Sequence, residues 1–211
     1  MSDFKEMLSA KLDALSDEEW QKRDAKIAEK EKQETFLQEA DNRKRILRSW
    51  QKRGVTERYI NSTWDNWIAD TDVKKEAKEK VKTAWRNNLF LTGSNGTGKT
   101  HLAMCLAKDG ATYRRFPDIL REIRTDFDNE AETLDCYGKI ELLIIDEIGR
   151  QKFSDFETNI LFEIIDRRWN NVLPTTIITN LSTQEFAERF GTAILDRLKP
   201  VLVLFSWESM R

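Results

Sequence analysis

Residues 89–100 read Leu89-Phe90-Leu91-Thr92-Gly93-Ser94-Asn95-Gly96-Thr97-Gly98-Lys99-Thr100, an apolar run followed at once by the pattern G-x-x-x-x-G-K-T. The glycines of such a loop let the backbone curl so that successive N–H groups point at phosphate oxygens. In this pattern Lys99 serves the β- and γ-phosphates, and the Thr100 hydroxyl is offered to magnesium. A helix beginning near Lys99 adds the positive end of its dipole. Strand before and helix after are the context the pattern requires, so a glycine-rich turn without a nucleotide explains it poorly.

Working outward, the chain from residue 87 alternates short apolar runs with amphipathic stretches. Leu89-Phe90-Leu91, Ala111 to Phe116, Leu142-Leu143-Ile144-Ile145, Thr175 to Thr179 and Val201 to Phe205 read as buried strands. Between them, Ser154 with Glu157 and Ser182 with Glu185 are capping-box pairs that start helices. Strands separated by helices need crossover connections, which predicts an α/β fold with a five-stranded parallel sheet. The second apolar run delivers Asp146 and Glu147 to the C-terminal edge of that sheet, where ligands bind in open α/β folds. There Asp146 faces the metal shell, and Glu147 is placed to orient or deprotonate an attacking water. Asn180 ends the next strand. It reads as a turn former or, if its strand lies beside the 142–145 run, as a residue near the γ-phosphate.

Charge is segregated beneath a net −2. Residues 1–41 carry 12 acidic and 7 basic side chains, residues 43–58 carry 1 and 7, residues 59–86 carry 5 and 6, and residues 87–211 carry 19 and 15. An acidic arm, a basic junction and an acidic core therefore follow one another. Phe4, Met7, Leu8, Leu12 and Leu15 form a helical stripe that serves either a partner or the helix's own domain. Ser16 with Glu19 starts a second, more polar helix through Trp20, Ile27, Phe36 and Leu37, which reads as a solvated arm. The expected division is 1–42 as a helical partner-binding arm, 43–86 as a basic and aromatic lead-in, and 87–211 as the nucleotide-binding core. No apolar run is long enough to span a membrane, and the N-terminus lacks a secretory core, so a cytoplasmic protein is expected. Two cysteines, Cys105 and Cys136, offer neither a disulfide framework nor zinc-ligand spacing.

The chain resembles the AAA+ ATPases of the DnaC type, loaders of the replicative helicase, with the IstB-type transposition helper ATPases as cousins. The resemblance rests on Gly98-Lys99-Thr100-His101-Leu102-Ala103, on Leu143-Ile144-Ile145-Asp146-Glu147-Ile148-Gly149, on Leu195-Asp196-Arg197-Leu198 and on Phe205-Ser206-Trp207-Glu208-Ser209-Met210-Arg211. It also includes the lead-in from Arg53-Gly54-Val55 to Thr63-Trp64-Asp65-Asn66-Trp67, and it runs from about residue 43 onward, with no full lid domain. The resemblance implies ATP and Mg2+ as ligands, an ATPase activity stimulated by DNA or a partner, a hexameric DnaB-type helicase engaged through residues 1–42, and single-stranded DNA as a further partner. It implies that Arg197 is an arginine finger acting in a neighbouring subunit, and that Arg211 is a sensor arginine. Alternatives are an ATP-switched adaptor or inhibitor of the helicase without useful turnover, and a transposition helper.

Two segments offer contacts for nucleic acid. Arg43, Lys44, Arg45, Arg48, Lys52, Arg53 and Arg58 gather around Trp50, which reads as a single-strand-binding cluster or as a solvated helix face. Tyr113-Arg114-Arg115-Phe116, with Arg121 and Arg124, is a second candidate, where the resemblance implies a DNA-facing insertion. Trp64 and Trp67 read as core in preference to packing near the adenine, and Trp169 and Trp207 also read as core. His101, the only histidine, stands with the nucleotide-facing residues by position. Without a second histidine or a cysteine cluster it reads as a packing or hydrogen-bonding residue and not as a catalyst.

Overall fold

The five apolar runs become strands β1 (Leu89–Gly93), β2 (Thr112–Arg115), β3 (Leu143–Ile148), β4 (Thr175–Thr179) and β5 (Val201–Phe205) of one sheet, ordered β2-β3-β4-β1-β5. Every neighbouring pair is parallel. The structure is a computed structural model and describes residues 17–149 and 154–210. Parallel neighbours force crossovers, so helices cover both faces. These helices are α1 (Asp17–Lys52), α2 (Asp72–Ala84), α3 (Lys99–Asp109), α4 (Phe116–Thr125), α5 (Glu130–Lys139), α6 (Asp155–Asn170), α7 (Thr183–Phe190) and α8 (Thr192–Leu198).

Alternation along the strands divides the apolar residues into two cores. Phe90, Leu143, Ile145 and Ile177 face one core with α4 to α8, while Leu89, Leu91, Ile144 and Ile178 face the other with α2 and α3. Of the three predicted capping boxes, the two in the core are present. Ser154 accepts from the Glu157 N–H and Ser182 from the Glu185 N–H, and each glutamate carboxylate accepts in return from the N-cap backbone.

Strand β3 departs from expectation. It begins at Leu143 and runs three residues beyond the apolar run, through Asp146 and Glu147 to Ile148. Backbone pairing does not require apolar side chains, and Ile148 pairs with Thr179 after a register shift between Ile145 and Ile148. Glu147 sits in that irregularity at φ 63°.

The 43–86 segment also divides differently. Helix α1 is continuous across residues 42 and 43, and the chain separates into two units between Ser49 and Trp50. Within the first unit, Ile27, Phe36, Leu37 and Ile46 are exposed along α1. The Phe4-to-Leu15 stripe and the Ser16 cap lie outside the described residues. From Trp50 onward the lead-in belongs to the second unit, because Val55, Trp67, Ala77 and Val81 are buried in the core beside α3. Among the described residues no helix is long and apolar enough to cross a membrane.

A buried arginine ties the crossovers together. Arg168 is 1% exposed and donates to the Thr175 hydroxyl and to the carbonyls of Tyr137, Ile140 and Pro174, over 2.6 to 2.8 Å. Burial lowers the guanidinium to about 10. The next residue, Trp169, expected in the core, is exposed with Arg197 over its ring at 5.9 Å. Arg168→Met would orphan four acceptors and should lower the unfolding free energy by roughly 3–5 kcal/mol in a urea titration. Arg121→Met, at an exposed pair with Asp118, should cost less than about 1 kcal/mol.

Candidate nucleotide site

The loop Gly93–Thr100 leaves the C-terminal end of β1, between β4 and β5, and opens α3. Gly93, Gly96 and Gly98 all have positive φ, at 144°, 82° and 90°. A Cβ at Gly98 would run into the packed Trp67 indole, so glycine is needed there for space as well as for φ, while at Gly96 it would meet the rotatable Ser209 hydroxyl and the requirement is for φ. Asn95, Gly96, Thr97, Gly98, Lys99 and Thr100 line a cavity of about 510 Å³. The Lys99 ammonium is folded onto its own loop, donating to the Gly93 carbonyl at 2.6 Å and the Ser94 carbonyl at 2.7 Å. Burial lowers it to about 8, while nearby Asp146 opposes that shift.

Asp146 stands across the cavity and is buried. Its Oδ2 accepts from the Thr100 hydroxyl and from the Tyr113 hydroxyl, both at 2.9 Å, and its Oδ1 accepts from the Glu147 N–H at 2.6 Å. Burial raises the carboxyl, and these three donors pull it back. Glu147 accepts at Oε2 from Arg115 at 2.8 Å. Thr100 and Asp146, each expected to face the metal shell, are thus hydrogen-bonded to each other. Tyr113 and Arg115 are neighbours of these carboxylates that the sequence reading assigned to a DNA-facing stripe. They alternate on β2, opposite Ile144 and Asp146 of β3. Period-two spacing was the available signal, but it points to these carboxylates only once β2 is known to border β3.

The other expected site residues are distributed as follows. Because β3 and β4 are neighbours, Asn180 lines the same cavity as Glu147. His101 also lines it, with Nε2 2.9 Å from the Thr63 carbonyl, the hydrogen-bonding role expected of it. Arg197 lies on α8, pairs with Asp166 at 2.6 Å and stacks over Phe162 at 4.4 Å. Its ion-pair partner is therefore on α6, and it also donates to the Ala193 carbonyl of its own helix. Arg211 is outside the described residues. Trp67 is buried as expected, and its Nε1 donates to the Gly98 carbonyl at 3.2 Å. Trp207 packs on Phe205 and donates from Nε1 to the Thr97 carbonyl at 3.1 Å.

The nucleic-acid candidates fare unequally. Arg114 donates to the carbonyls of Tyr113 and Lys52, Arg121 pairs with Asp118, and Arg124 pairs with Glu157. Together with Arg115 on Glu147, each arginine of that stripe has an intramolecular acceptor. In the first cluster, Trp50 lies beneath the Lys108 ammonium at 4.6 Å and Arg53 donates to the Lys108 carbonyl, whereas Arg43, Lys44, Arg45 and Arg48 are exposed.

The arrangement suits a nucleoside triphosphate with magnesium. A buried ammonium among carbonyls and a cradle that a Cβ would fill both fit phosphates. Among the described residues there is no group of three or more His, Cys, Asp or Glu that could hold a metal alone. Thr100 with Asp146 is the partial set expected for magnesium, which takes its remaining ligands from phosphate and water.

Comparisons with known proteins agree with this architecture. A family profile described as IstB-like ATP binding protein matches residues 55–211. The replicative helicase loader DnaC of Escherichia coli K12 is 25% identical over 211 aligned positions, covering 91% of this chain and 84% of the relative. DnaC of Buchnera aphidicola from Acyrthosiphon pisum is 26% identical over 180 positions, covering 76% of this chain and 73% of the relative. Among solved structures, a crystal structure of the DnaC helicase loader superposes with a TM-score of 0.62 at 22% identity, over 71% of this chain and 99% of that one. The AMPPCP-bound DnaA of Aquifex aeolicus gives 0.61 at 21% identity, over 72% of this chain and 51% of that one. The fold is that of an AAA+ P-loop protein, and the chain belongs to the family of IstB-like ATP-binding proteins, where it is similar to helicase loaders of the DnaC type.

Proposed function

We propose that this chain is an ATP-hydrolysing loader that delivers a DnaB-type replicative helicase to single-stranded DNA in the cytoplasm. The observation that carries the chemistry is the Thr100–Asp146 hydrogen bond at the foot of the phosphate loop, with Glu147 on the same strand. When a nucleotide binds, Lys99 exchanges its two loop carbonyls for phosphate oxygens, and the N–H groups of the loop hold the phosphate chain. Magnesium bound with the nucleotide neutralises phosphate charge, and Thr100 and Asp146 are the residues to hold it. Glu147 accepts a proton from the attacking water, and Asn180 helps to orient that water. Arg197 completes the site of a neighbouring copy, for which it must leave Asp166. Arg197 and Asp166 are 28% and 32% exposed, so the pair is harder to break than one on the open surface.

The helicase assignment draws on kinship with proteins named as DnaC loaders and on the exposed apolar residues of α1. Single-stranded DNA is assigned to the exposed Arg43, Lys44, Arg45 and Arg48. The Arg115–Glu147 pair favours a second reading, in which the chain binds ATP as a switch with negligible turnover, because the carboxylate is already engaged by a guanidinium and must leave it to meet the attacking water.

Three measurements test these assignments. Free Lys99 is already protonated below pH 8, so the Kd for ADP should be flat there. Above about pH 8 binding must take up a proton, and the Kd should rise, approaching tenfold per pH unit. Calorimetry across that range should show the slope in the unaltered chain and none in Lys99→Met. In a phosphate-release assay with single-stranded DNA, Glu147→Gln should turn over about a hundredfold or more slowly than the unaltered chain. Equal, negligible rates favour the switch. Removal of residues 1–42 should abolish co-purification with the helicase and leave ADP affinity intact; retained co-purification refutes the arm as the docking element.

A further inference from the structure

Each trans peptide unit carries its C=O and its N–H in opposite directions. To aim the N–H groups of Thr97, Gly98 and Lys99 into the cavity, the carbonyls of Gly96, Thr97 and Gly98 must therefore be held facing away from it. All three carbonyls accept from donors outside the loop: Gly96 from the Met210 N–H at 2.9 Å, Thr97 from Trp207 Nε1 at 3.1 Å and Gly98 from Trp67 Nε1 at 3.2 Å. The Gly98 carbonyl also accepts from the Leu102 N–H of α3, so it is not held by tryptophan alone. The Thr97 carbonyl has no such helical bond, and Trp207 is its donor.

We infer that Trp207, seconded by Trp67, is a positioning residue for the phosphate loop, holding the Thr97–Gly98 peptide so that its N–H is already aimed at the nucleotide's phosphates. The inference rests on the reading of this cavity as an ATP site. Its geometry is set far along the chain. Gly93 pairs with Phe205 across β1 and β5, and the backbone leaving β5 then runs beside the loop, bringing Trp207 to Thr97 and Met210 to Gly96. The Trp207 ring is itself packed, 5.0 Å from Phe205 and 5.9 Å edge-on to Trp67, so its N–H has one direction. A preset N–H needs no reorganisation when the anion arrives, which is the source of its advantage over a freely rotating peptide.

The test compares a ligand that meets the loop with one that does not. Trp207→Phe keeps a packed ring and removes the donor. In calorimetry on the full chain its Kd for ADP should rise about 3- to 10-fold, the scale of one hydrogen bond, while its Kd for adenosine stays unchanged. The ratio of the two constants is insensitive to any loss of folded protein, because unfolding weakens both equally. Trp67→Phe should move the same ratio in the same direction by a smaller factor, since Leu102 also holds Gly98. A Trp207→Phe ratio within about twofold of the unaltered chain, whether both affinities fall together or neither moves, overturns the inference and leaves Trp207 as packing. An unaltered chain that binds neither ligand overturns the nucleotide site itself.

Discussion

A loop that turns its N–H groups toward one point turns its carbonyls away from it, and the second half of that constraint organises much of this molecule. The carbonyls of Gly93 and Ser94 hold Lys99, and those of Gly96, Thr97 and Gly98 accept from Met210, Trp207 and Trp67. These donors arrive from the segment before α2, from the segment after β5 and from α3. The packed Trp67 indole also excludes a side chain at Gly98, so that glycine and the tryptophan answer one packing problem. Burying the Lys99 ammonium among carbonyls lowers it to about 8, which makes phosphate its better partner.

The two carboxylates depend on β2 in a comparable way. Tyr113 donates to Asp146 and Arg115 donates to Glu147, from positions two residues apart on a strand that borders β3. Burial and the neighbouring Asp146 push the Tyr113 hydroxyl well above its ordinary range, so it remains a donor. Glu147 lies in the irregular part of β3 at positive φ, which turns it away from regular pairing with β4 and toward the strand on the other side. One short strand of alternating residues thereby orients together the two carboxylates to which metal binding and water activation are proposed to belong.

Much of this was legible in the amino-acid order. Runs of three to six residues identified all five strands. Strands β1, β3 and β4 are buried nearly throughout because helices cover both faces, so alternation is replaced by continuity. The edge strand β5, expected to be buried, leaves Val201, Leu202 and Leu204 exposed. Ser154 with Glu157 and Ser182 with Glu185 announced two helices because a capping box is a local bond that needs nothing distant. The end of β3 was less legible, since its last residues pair through the backbone while their side chains are polar. Arg114, Arg115, Arg121 and Arg124 read as a basic stripe because charge is visible in a sequence and acceptors are not. Trp169 read as core for the same reason: an aromatic ring declares its size and not its surroundings.

By itself the sequence determined the phosphate loop, the Asp146–Glu147 pair directly after an apolar run and the α/β class, because each depends on residues near one another in the chain. Only the tertiary structure decided which strands are neighbours, and with that whether Asn180 joins the site, which carboxylates Tyr113 and Arg115 serve, and which carbonyl Trp207 holds. Those contacts join residues tens of positions apart, and Trp207 lies 110 residues from Thr97. Their partners are set by the crossover order β2-β3-β4-β1-β5, which depends on how the helices cover the two faces together and is not written in any local pattern.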